Sequence, residues 1–416
     1  MNLLKTSALN GISVLIKTVT MFVLNKILAV YVGPSGYAAI GQFQNFIQII
    51  TAFAGSSINT AVVKYTAEYY EDESKQRAIW KTAGTLVVLF STIVAFFILI
   101  FQRQLSLYIF KTTEYQSIFV WFAVFLLFFN FNTLFLSILN GKKEISKLVI
   151  ANIAGSLVSL AVTGLLAIKF GLYGALVALT VNQSIVFFVT LLICYKSKWF
   201  RVTDLFGKID PGVLKKLSSF GLMAIVSIVF GNLAQIILRN IIIADYDLNH
   251  AGYWDAMTRL SGGYLMFAST ILSVYYLPRL SELKRYKDIK QEVNYGYKVI
   301  LPLACLMSLS IYLFQDFIIG ILFTKEFLPM KELMFWQLLG DVIKIGSWIV
   351  SFMMLSKAMT KIFIITEAFF ALSIIPLSII FIRYFGFKGI AMAFALNCLL
   401  YWIVCSYFSF RKLREV

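Results

Sequence analysis

The residues of this sequence that could bind a ligand through charge lie inside long apolar stretches. The set comprises Lys17, Lys26, Arg239, Asp255, Arg259, Asp341, Lys344 and Glu367. An ionisable group at the centre of a membrane-spanning helix costs about 2.5–3.5 kcal/mol on insertion scales, so each is a candidate for binding a substrate or an ion. Basic groups outnumber acidic groups in this set, which favours an anionic ligand. Arginine in particular presents a planar fork of donors that matches phosphate oxygens.

Arg259 is the strongest candidate for contact with an anionic substrate. It lies one helical turn after Asp255, so the two side chains share a helix face and could instead neutralise each other. Lys26 and Arg239 lie near the predicted outer ends of their helices, from where a long side chain could equally extend to the lipid headgroups. Lys17 lies near the middle of its helix and has no charged partner there, although an ideal helix places it on the face opposite Lys26.

Asp341, Lys344 and Glu367 are candidates for binding a coupling ion or a proton. Asp341 and Lys344 are one turn apart near the middle of a predicted helix, so a structural pair is an equal alternative. Glu367 could exchange a proton, because burial away from water disfavours a charged carboxylate. A hydrogen-bonded structural acid is the alternative at this position.

Two glutamines and a histidine complete the polar candidates. Gln44 and Gln48 are one turn apart on one helix face, where their amides could bind sugar hydroxyls or pair helices together. His250 is predicted at the outer mouth of a helix and fits a solvated surface histidine. The sequence shows no metal-ligand spacing, so no metal site is expected.

The composition places these residues in a membrane protein. The chain is 60% hydrophobic and 14% charged, its mean hydropathy is +0.83, and a soluble domain carries about 25% charged residues. Apolar runs of about 20 residues predict helices rather than the strands of a barrel. The predicted spans are 7–31, 38–62, 82–101, 117–139, 148–168, 174–195, 217–244, 251–277, 294–316, 331–356, 362–382 and 389–410.

The basic residues predict the orientation of these twelve spans. Lysines and arginines concentrate in alternate connections, such as 196–216 and 279–298, and are sparse in the others. Because basic residues accumulate on the cytoplasmic side, both termini are predicted to be cytoplasmic. This bias accounts for most of the net charge of +17 without a nucleic-acid partner.

An internal repeat predicts how the spans are organised. FGLYGALVALTVN (170–182) and FGFKGIAMAFALN (385–397) share Phe, Gly, Gly, Ala and Asn at matching positions. Two further pairs follow the same order: LKTSALNG (4–11) with LKKLSSFG (214–221), and GYAAIGQF (36–43) with GYWDAMTR (252–259). Six spans per half is an even number, so the halves have the same topology and form parallel repeats.

The fold class predicted from this repeat is an all-α integral membrane protein. Its twelve transmembrane helices form two parallel-repeat six-helix bundles around a central cavity. The N-terminal bundle covers 1–200, a cytoplasmic linker covers 201–216, and the C-terminal bundle covers 217–416. Two similar walls with a seam between them are the architecture of an alternating-access transporter.

A family resemblance rests on three stretches in order: LNKILAVYVGPSGYAAIGQFQNFIQIITAFAGSSINTAVVKYTAEY, VYYLPRLSEL and WQLLGDVIKIGSWIV. With its length and span count, the chain resembles the Wzx-type flippases of the multidrug/oligosaccharidyl-lipid/polysaccharide exporter superfamily. The resemblance implies a bacterial inner-membrane protein whose cavity opens alternately to either face. The implied substrate is an undecaprenyl-diphosphate-linked oligosaccharide, such as an O-antigen repeat unit.

The resemblance also implies the partners of the chain. They are the lipid-linked oligosaccharide, membrane lipid, and a polysaccharide polymerase and chain-length regulator. A closed twelve-helix unit is expected to work as a monomer. No cofactor is expected, and no G-x-x-x-x-G-K-[ST] phosphate loop is present in the sequence.

Two other functions remain as alternatives. A cation-coupled multidrug exporter of the same superfamily would favour an acidic cavity, whereas the candidate residues are mainly basic. A membrane enzyme would need catalytic groups, but the two longest outer connections, predicted at 102–116 and 317–330, hold no evident pair of catalytic carboxylates. An enzyme is therefore not expected.

Overall fold

The structure is a computed structural model that describes residues 3–197, 199–272, 276–357 and 359–414. Within these ranges it consists of α-helices and short 3-10 segments joined by turns. The helices are α1 (Leu3–Tyr31), α2 (Gly33–Phe53), α3 (Asn59–Glu68), α4 (Glu73–Phe110), α5 (Gln116–Gly141), α6 (Ile145–Tyr195), α7 (Pro211–Asp245), α8 (Leu248–Ile271), α9 (Leu277–Glu282), α10 (Tyr286–Leu313), α11 (Gln315–Leu322), α12 (Lys331–Ser356), α13 (Thr360–Phe385) and α14 (Gly389–Arg414).

The helices account for the predicted spans. Among the described residues, nine helices are long and apolar enough to cross a membrane, and the bent pair of α2 with Ser56–Glu68 makes a tenth. The 51-residue α6 is broken at Gly171, so it supplies two spans. α8 has 24 residues, which is sufficient to cross a bilayer despite its charged residues. Each of the twelve predicted spans therefore has a helix, and the predicted all-α membrane fold is confirmed.

The two repeated stretches form the same turn. Gly171 and Gly386, the first glycines of FGLYG and FGFKG, have φ of 56° and 71°. Their ψ values are −134° and −156°, close to a region that only glycine occupies without strain. The repeat found in the sequence is therefore also a repeat of backbone conformation.

The second glycine of each stretch allows close packing of two consecutive helices. A Cβ atom on Gly174 would overlap the backbone carbonyl of Leu166, and one on Gly389 would overlap that of Phe381. In both halves the overlapped carbonyl lies five residues before the first glycine, on the helix that precedes the turn. Only glycine leaves room for this approach.

The repeated asparagines connect the same pairs of helices. Asn182 donates from Nδ2 to Thr163 Oγ1 at 2.9 Å. Asn397 donates to the Phe370 carbonyl at 3.0 Å and accepts from Ser373 Oγ at 2.6 Å. Both amides are buried. The shared asparagine therefore donates a hydrogen bond across the hairpin in each half.

Two span boundaries differ from the prediction. The helix predicted over 38–62 bends by 72° between Phe53 and Ser56, where Gly55 has a φ of 118°. The span predicted over 82–101 is part of the longer α4, which continues to Phe110 and takes up much of the loop predicted over 102–116. Hydropathy marks only the apolar centre of a helix, whereas the polar ends of α4 are also good helix formers.

Packing divides the chain into two compact units. The first unit comprises Met1–Val32 and Ala39–Asn232, and the second comprises Gly33–Ala38 and Leu233–Val416. The division falls within α7, so the predicted linker 201–216 belongs to the first unit. The first six residues of α2 belong to the second unit.

The linker is bound to α4 by polar contacts. The buried Asp204 carboxylate lies 3.4 Å from Arg77 Nε and 3.7 Å from Lys81 Nζ. Thr85 Oγ1 donates to the Gly207 carbonyl at 3.1 Å and lies 3.2 Å from the Gly207 N–H. These contacts fix the linker, which includes a short 3-10 helix over Val202–Leu205, to α4.

The linker also completes the hydrophobic core of the first unit. Leu205 packs in a buried cluster with Trp80, Phe131 and Phe135. Trp80 and Trp199 contact each other with ring centroids 5.3 Å apart. The segment after α6 therefore has a structural role in the first unit as well as connecting the predicted bundles.

Gly84 on α4 is expected to be required for this docking. In a Gly84→Ala variant the new Cβ would overlap the Leu205 carbonyl and lie 3.3 Å from Leu205 Cα. We expect a destabilisation of about 1–3 kcal/mol, because backbone cannot move aside as a side chain can. Thermal unfolding of the purified protein in detergent measures it.

Gly231→Ala on α7 is the matched control, since no atom lies within 4 Å of its added Cβ. Alanine in a helix interior is more favourable than glycine by about 0.5–1 kcal/mol. The control should therefore melt at the wild-type temperature or above it. Equal melting temperatures for the two variants would contradict the proposed contact.

Candidate functional site

A buried ion pair joins α7 and α8 in the second unit. Arg239 donates from Nε to Asp255 Oδ2 at 2.7 Å and from Nη2 to Asp255 Oδ1 at 2.5 Å. The two residues are 2% and 4% exposed. This bidentate geometry is the strongest form of a carboxylate–arginine contact. The Arg239 side chain is therefore turned into the protein, in contrast to the predicted alternative in which it extends to the headgroups.

Arg259 lies on the same helix as Asp255 and is partly exposed. Its guanidinium carbon is 5.3 Å from the centre of the Tyr37 ring, which is within the range of a cation–π contact. Both oxygens of Asp255 accept from Arg239. Arg239, Asp255 and Arg259 together carry a net positive charge, which makes this part of α8 attractive to an anion.

Tyr37 reaches the second unit on the first turn of α2. Its ring is fully buried and contacts Phe327 edge-on, with centroids 5.1 Å apart. Pro34 packs directly on Gly252 of α8, where an added Cβ would lie 2.9 Å from Pro34 Cα. A glycine at position 252 therefore permits the docking of this turn.

Asp341 is the centre of a second polar cluster, between α8 and α12. The residue is fully buried. Its Oδ2 atom accepts from Ser261 Oγ at 2.6 Å and from the Tyr264 hydroxyl, and its Oδ1 atom accepts from Gln337 Nε2 at 3.3 Å. All three donors are uncharged. Hydroxyl, amide and carboxylate oxygens are the ligands that small hard cations prefer, so this cluster can also hold a cation or a proton.

Lys344 does not form an ion pair with Asp341, which was one of the two alternatives for these residues. Its ammonium lies 5.4 Å from the Trp348 ring centre and 5.6 Å from the Phe394 ring centre. These aromatic faces stabilise the cation without neutralising it. Asp341 and Lys344 are near each other but have separate partners.

Glu367 belongs to a third cluster, which joins α12, α13 and α14. The Tyr401 hydroxyl donates to Glu367 Oε1 at 2.5 Å and lies 2.7 Å from Ser351 Oγ. Glu367 is half-buried, whereas Tyr401 and Ser351 are buried. The structure therefore gives Glu367 the hydrogen-bonded setting that was one of its two predicted alternatives.

The candidates of the first unit lie on α1 and α2. Lys17 is exposed and Lys26 is half-buried, in agreement with their placement on different faces of α1. Gln48 is exposed and Gln44 is half-buried.

His250 is half-exposed at the start of α8. Its backbone N–H and its Nδ1 atom both lie 2.8 Å from Asp247 Oδ1. The hydrogen bond from the backbone N–H, followed by that from the ring, lowers the pKa of the Asp247 carboxyl below its usual range. The His250 ring also packs edge-on against Phe387, with centroids 4.8 Å apart. His250 is therefore a partly exposed histidine that binds Asp247, the residue that caps the N-terminus of α8.

Several functional candidates were not identified from the sequence. Gln337 could have been identified from the sequence, because it lies one turn before Asp341 on the same helix. Ser261, Tyr264 and Tyr37 come from other helices, and isolated serines and tyrosines give no signal in an apolar sequence. Only the tertiary structure shows that they meet a charged residue.

The comparisons with known proteins agree on one family. A family model described as "Polysaccharide biosynthesis protein" matches residues 3–284. A protein named "Lipid III flippase" from Escherichia coli (strain K12) is 29% identical over 410 residues, which cover 97% of each chain. The protein of the same name from Shigella flexneri matches to the same extent.

Two solved structures share the fold. An inward-facing multidrug resistance MATE family transporter of the MOP superfamily aligns with a TM-score of 0.80 at 15% identity, over 96% of both chains. The lipid II flippase MurJ, in an inward closed conformation, aligns with a TM-score of 0.73 at 15% identity, over 99% of this chain and 90% of that one.

The Arg239–Asp255 pair predicts an unusual pattern of variant stability. Arg239→Met should destabilise the protein by about 3–5 kcal/mol, because it leaves the Asp255 carboxylate buried without its partner. Adding Asp255→Leu removes the stranded charge, so the double variant should melt closer to the wild type than the single variant does. Thermal unfolding in detergent and the amount of protein in membranes measure both. A double variant less stable than Arg239→Met would contradict this account.

Proposed function

We propose, on the premise that this chain belongs to the polysaccharide biosynthesis protein family, that it is a flippase for lipid-linked oligosaccharides. The observation that carries the proposal is the likeness, over 97% of both chains, to proteins named lipid III flippase. The substrate is an undecaprenyl-diphosphate-linked repeat unit of O-antigen or a related polysaccharide. The chain moves it from the cytoplasmic to the outer leaflet of the bacterial inner membrane by alternating access.

Arg259 binds the diphosphate in this proposal. Its support is the net positive charge of the Arg239, Asp255 and Arg259 group, in which Asp255 is already held by Arg239 through two hydrogen bonds. Arg239 and Asp255 act as the buried support of α8. A guanidinium can donate two parallel hydrogen bonds to phosphate oxygens, so an arginine suits this role better than a lysine.

The proposal includes four further substrate contacts, from residues on α1 and α2. Lys17 is exposed on a membrane-spanning helix, and such a position is costly unless water or a ligand reaches the ammonium. Lys17 and Lys26 supply further positive charge, and the Gln44 and Gln48 amides bind sugar hydroxyls.

In this proposal both termini are cytoplasmic and the protein works as a monomer. A polysaccharide polymerase and a chain-length regulator act on the delivered substrate.

Asp341, Lys344 and Glu367 couple transport to an ion gradient in this proposal. Support comes from the setting of Asp341, a buried carboxylate held by uncharged donors alone. A cation or proton can enter such a cluster without breaking an ion pair. Coupling of this kind also fits a multidrug exporter of the same superfamily, but the basic character of the Arg259 region favours an anionic substrate.

The first experiment uses a strain deleted for this gene and free of redundant transporters. Lipid-linked repeat units are quantified on each leaflet of the inner membrane, together with surface polysaccharide. Accumulation on the cytoplasmic leaflet and loss of surface polymer are expected. A normal leaflet distribution would overturn the proposal and direct attention to drug export.

Arg259→Ala should abolish or strongly reduce complementation of the deletion strain, because it removes the fork that binds the diphosphate. The variant should still reach the membrane in normal amounts, since Arg259 is partly exposed. Arg383→Ala is the matched control, as Arg383 is an exposed arginine in the last turn of α13. Normal surface polysaccharide from Arg259→Ala at native expression would refute the role of this residue.

Asp341→Asn should uncouple transport from the ion gradient. The substitution keeps the shape of the side chain but removes the charge, so an imposed proton or sodium gradient should no longer stimulate flipping in proteoliposomes. Asp288→Asn is the control, because Asp288 is an exposed acid in the first turn of α10 and has no role in the proposed coupling. Undiminished stimulation in Asp341→Asn would exclude Asp341 as the coupling residue.

A further inference from the structure

The contact between Arg259 and Tyr37 joins two distant parts of the sequence. Tyr37 lies on the first turn of α2, and Arg259 lies on α8. The guanidinium carbon is 5.3 Å from the ring centre. A ring face attracts a guanidinium without adding negative charge and without occupying an N–H donor. It can therefore orient Arg259 without itself occupying a donor that an anion would need.

The Tyr37 ring is itself held in one position. It is fully buried, and it contacts Phe323 and Phe327 with centroids 6.0 Å and 5.1 Å away. Those two rings contact each other at 5.3 Å. Edge-on contacts with two neighbouring rings restrict the plane of the Tyr37 ring, so the face presented to Arg259 is preorganised.

The backbone that carries Tyr37 is constrained as well. α2 begins at Gly33, which has a φ of 69°, and continues through Pro34, which packs on Gly252 of α8. The turn is thus anchored to the same helix that carries Arg259. The distance between the ring and the guanidinium is set by this direct packing of α2 on α8.

We propose that Tyr37 is a positioning residue that orients the Arg259 guanidinium for the diphosphate of the lipid-linked substrate. The inference rests on the proposed function, because it takes Arg259 to be the phosphate-binding residue. Tyr37 itself does not touch the substrate in this account. Its contribution is the electron density of its ring face.

The repeat supplies a matched control residue. Tyr37 and Tyr253 occupy the same place in GYAAIGQF and GYWDAMTR. Tyr253 also contacts Phe327, with centroids 6.2 Å apart. A change that acts through general packing of this aromatic cluster should have similar effects at the two positions, whereas a change that acts through Arg259 should be specific to Tyr37.

The test measures binding of undecaprenyl diphosphate to the purified full-length protein. Tyr37→Phe keeps the ring face and is the reference for the comparison. Tyr37→3,4,5-trifluorophenylalanine keeps the shape of phenylalanine but withdraws electron density from the ring face. It should bind about threefold to tenfold more weakly than Tyr37→Phe, which is the range of a partly buried cation–π contact. The same pair of substitutions at Tyr253 should leave affinity unchanged.

The Arg259→Ala background separates the two proposals. In this background, the fluorinated and unfluorinated rings at position 37 should bind equally, because the cation is gone. Equal affinity of the two rings with Arg259 present would overturn the positioning role, whatever Arg259 does. Wild-type affinity in Arg259→Ala alone would instead overturn the assignment of Arg259. Equal losses at positions 37 and 253 would indicate packing and would also overturn the positioning role.

Discussion

A charged side chain in a bilayer has no water to bind, and this constraint shapes the second unit. Arg239 and Asp255 meet it together through two short hydrogen bonds between α7 and α8. Either residue alone would be an uncompensated buried charge. Asp255 carries one negative charge, whereas Arg239 and Arg259 carry two positive charges. The three residues together therefore keep a net positive charge. The proposed substrate contact therefore depends on an ion pair that does not itself face the substrate.

The two buried carboxylates of the second unit differ in what surrounds them. Asp255 is bound by a permanent cation, so its charge is fixed. Asp341 is bound by two hydroxyls and an amide, so a mobile ion or proton can change the charge of its cluster. This difference separates a residue that holds helices together from one suited to coupling, although both are buried aspartates on membrane helices.

Local signals in the sequence predicted much of the fold. Hydropathy located the spans, and the paired glycines and asparagines of 170–182 and 385–397 predicted matching turns because their effects are confined to a hairpin. The bend at Gly55 and the length of α4 were not predicted, since hydropathy does not report backbone direction or polar helix ends. The charged candidates could be identified, but their partners could not. Whether Asp255 pairs with Arg239 or with Arg259 is decided by packing between helices.

The linker after α6 has a consequence for biogenesis. Its partners on α4, among them Arg77, Lys81 and Thr85, all precede it in the chain. A polypeptide is made from its N-terminus, and domains generally fold as units in that order. When residues 199–210 leave the ribosome, the α4 groups that they bind have already been synthesised. The first unit can therefore close its core before α8 exists, and the ribosome then adds the second half to a chain whose first half is already folded.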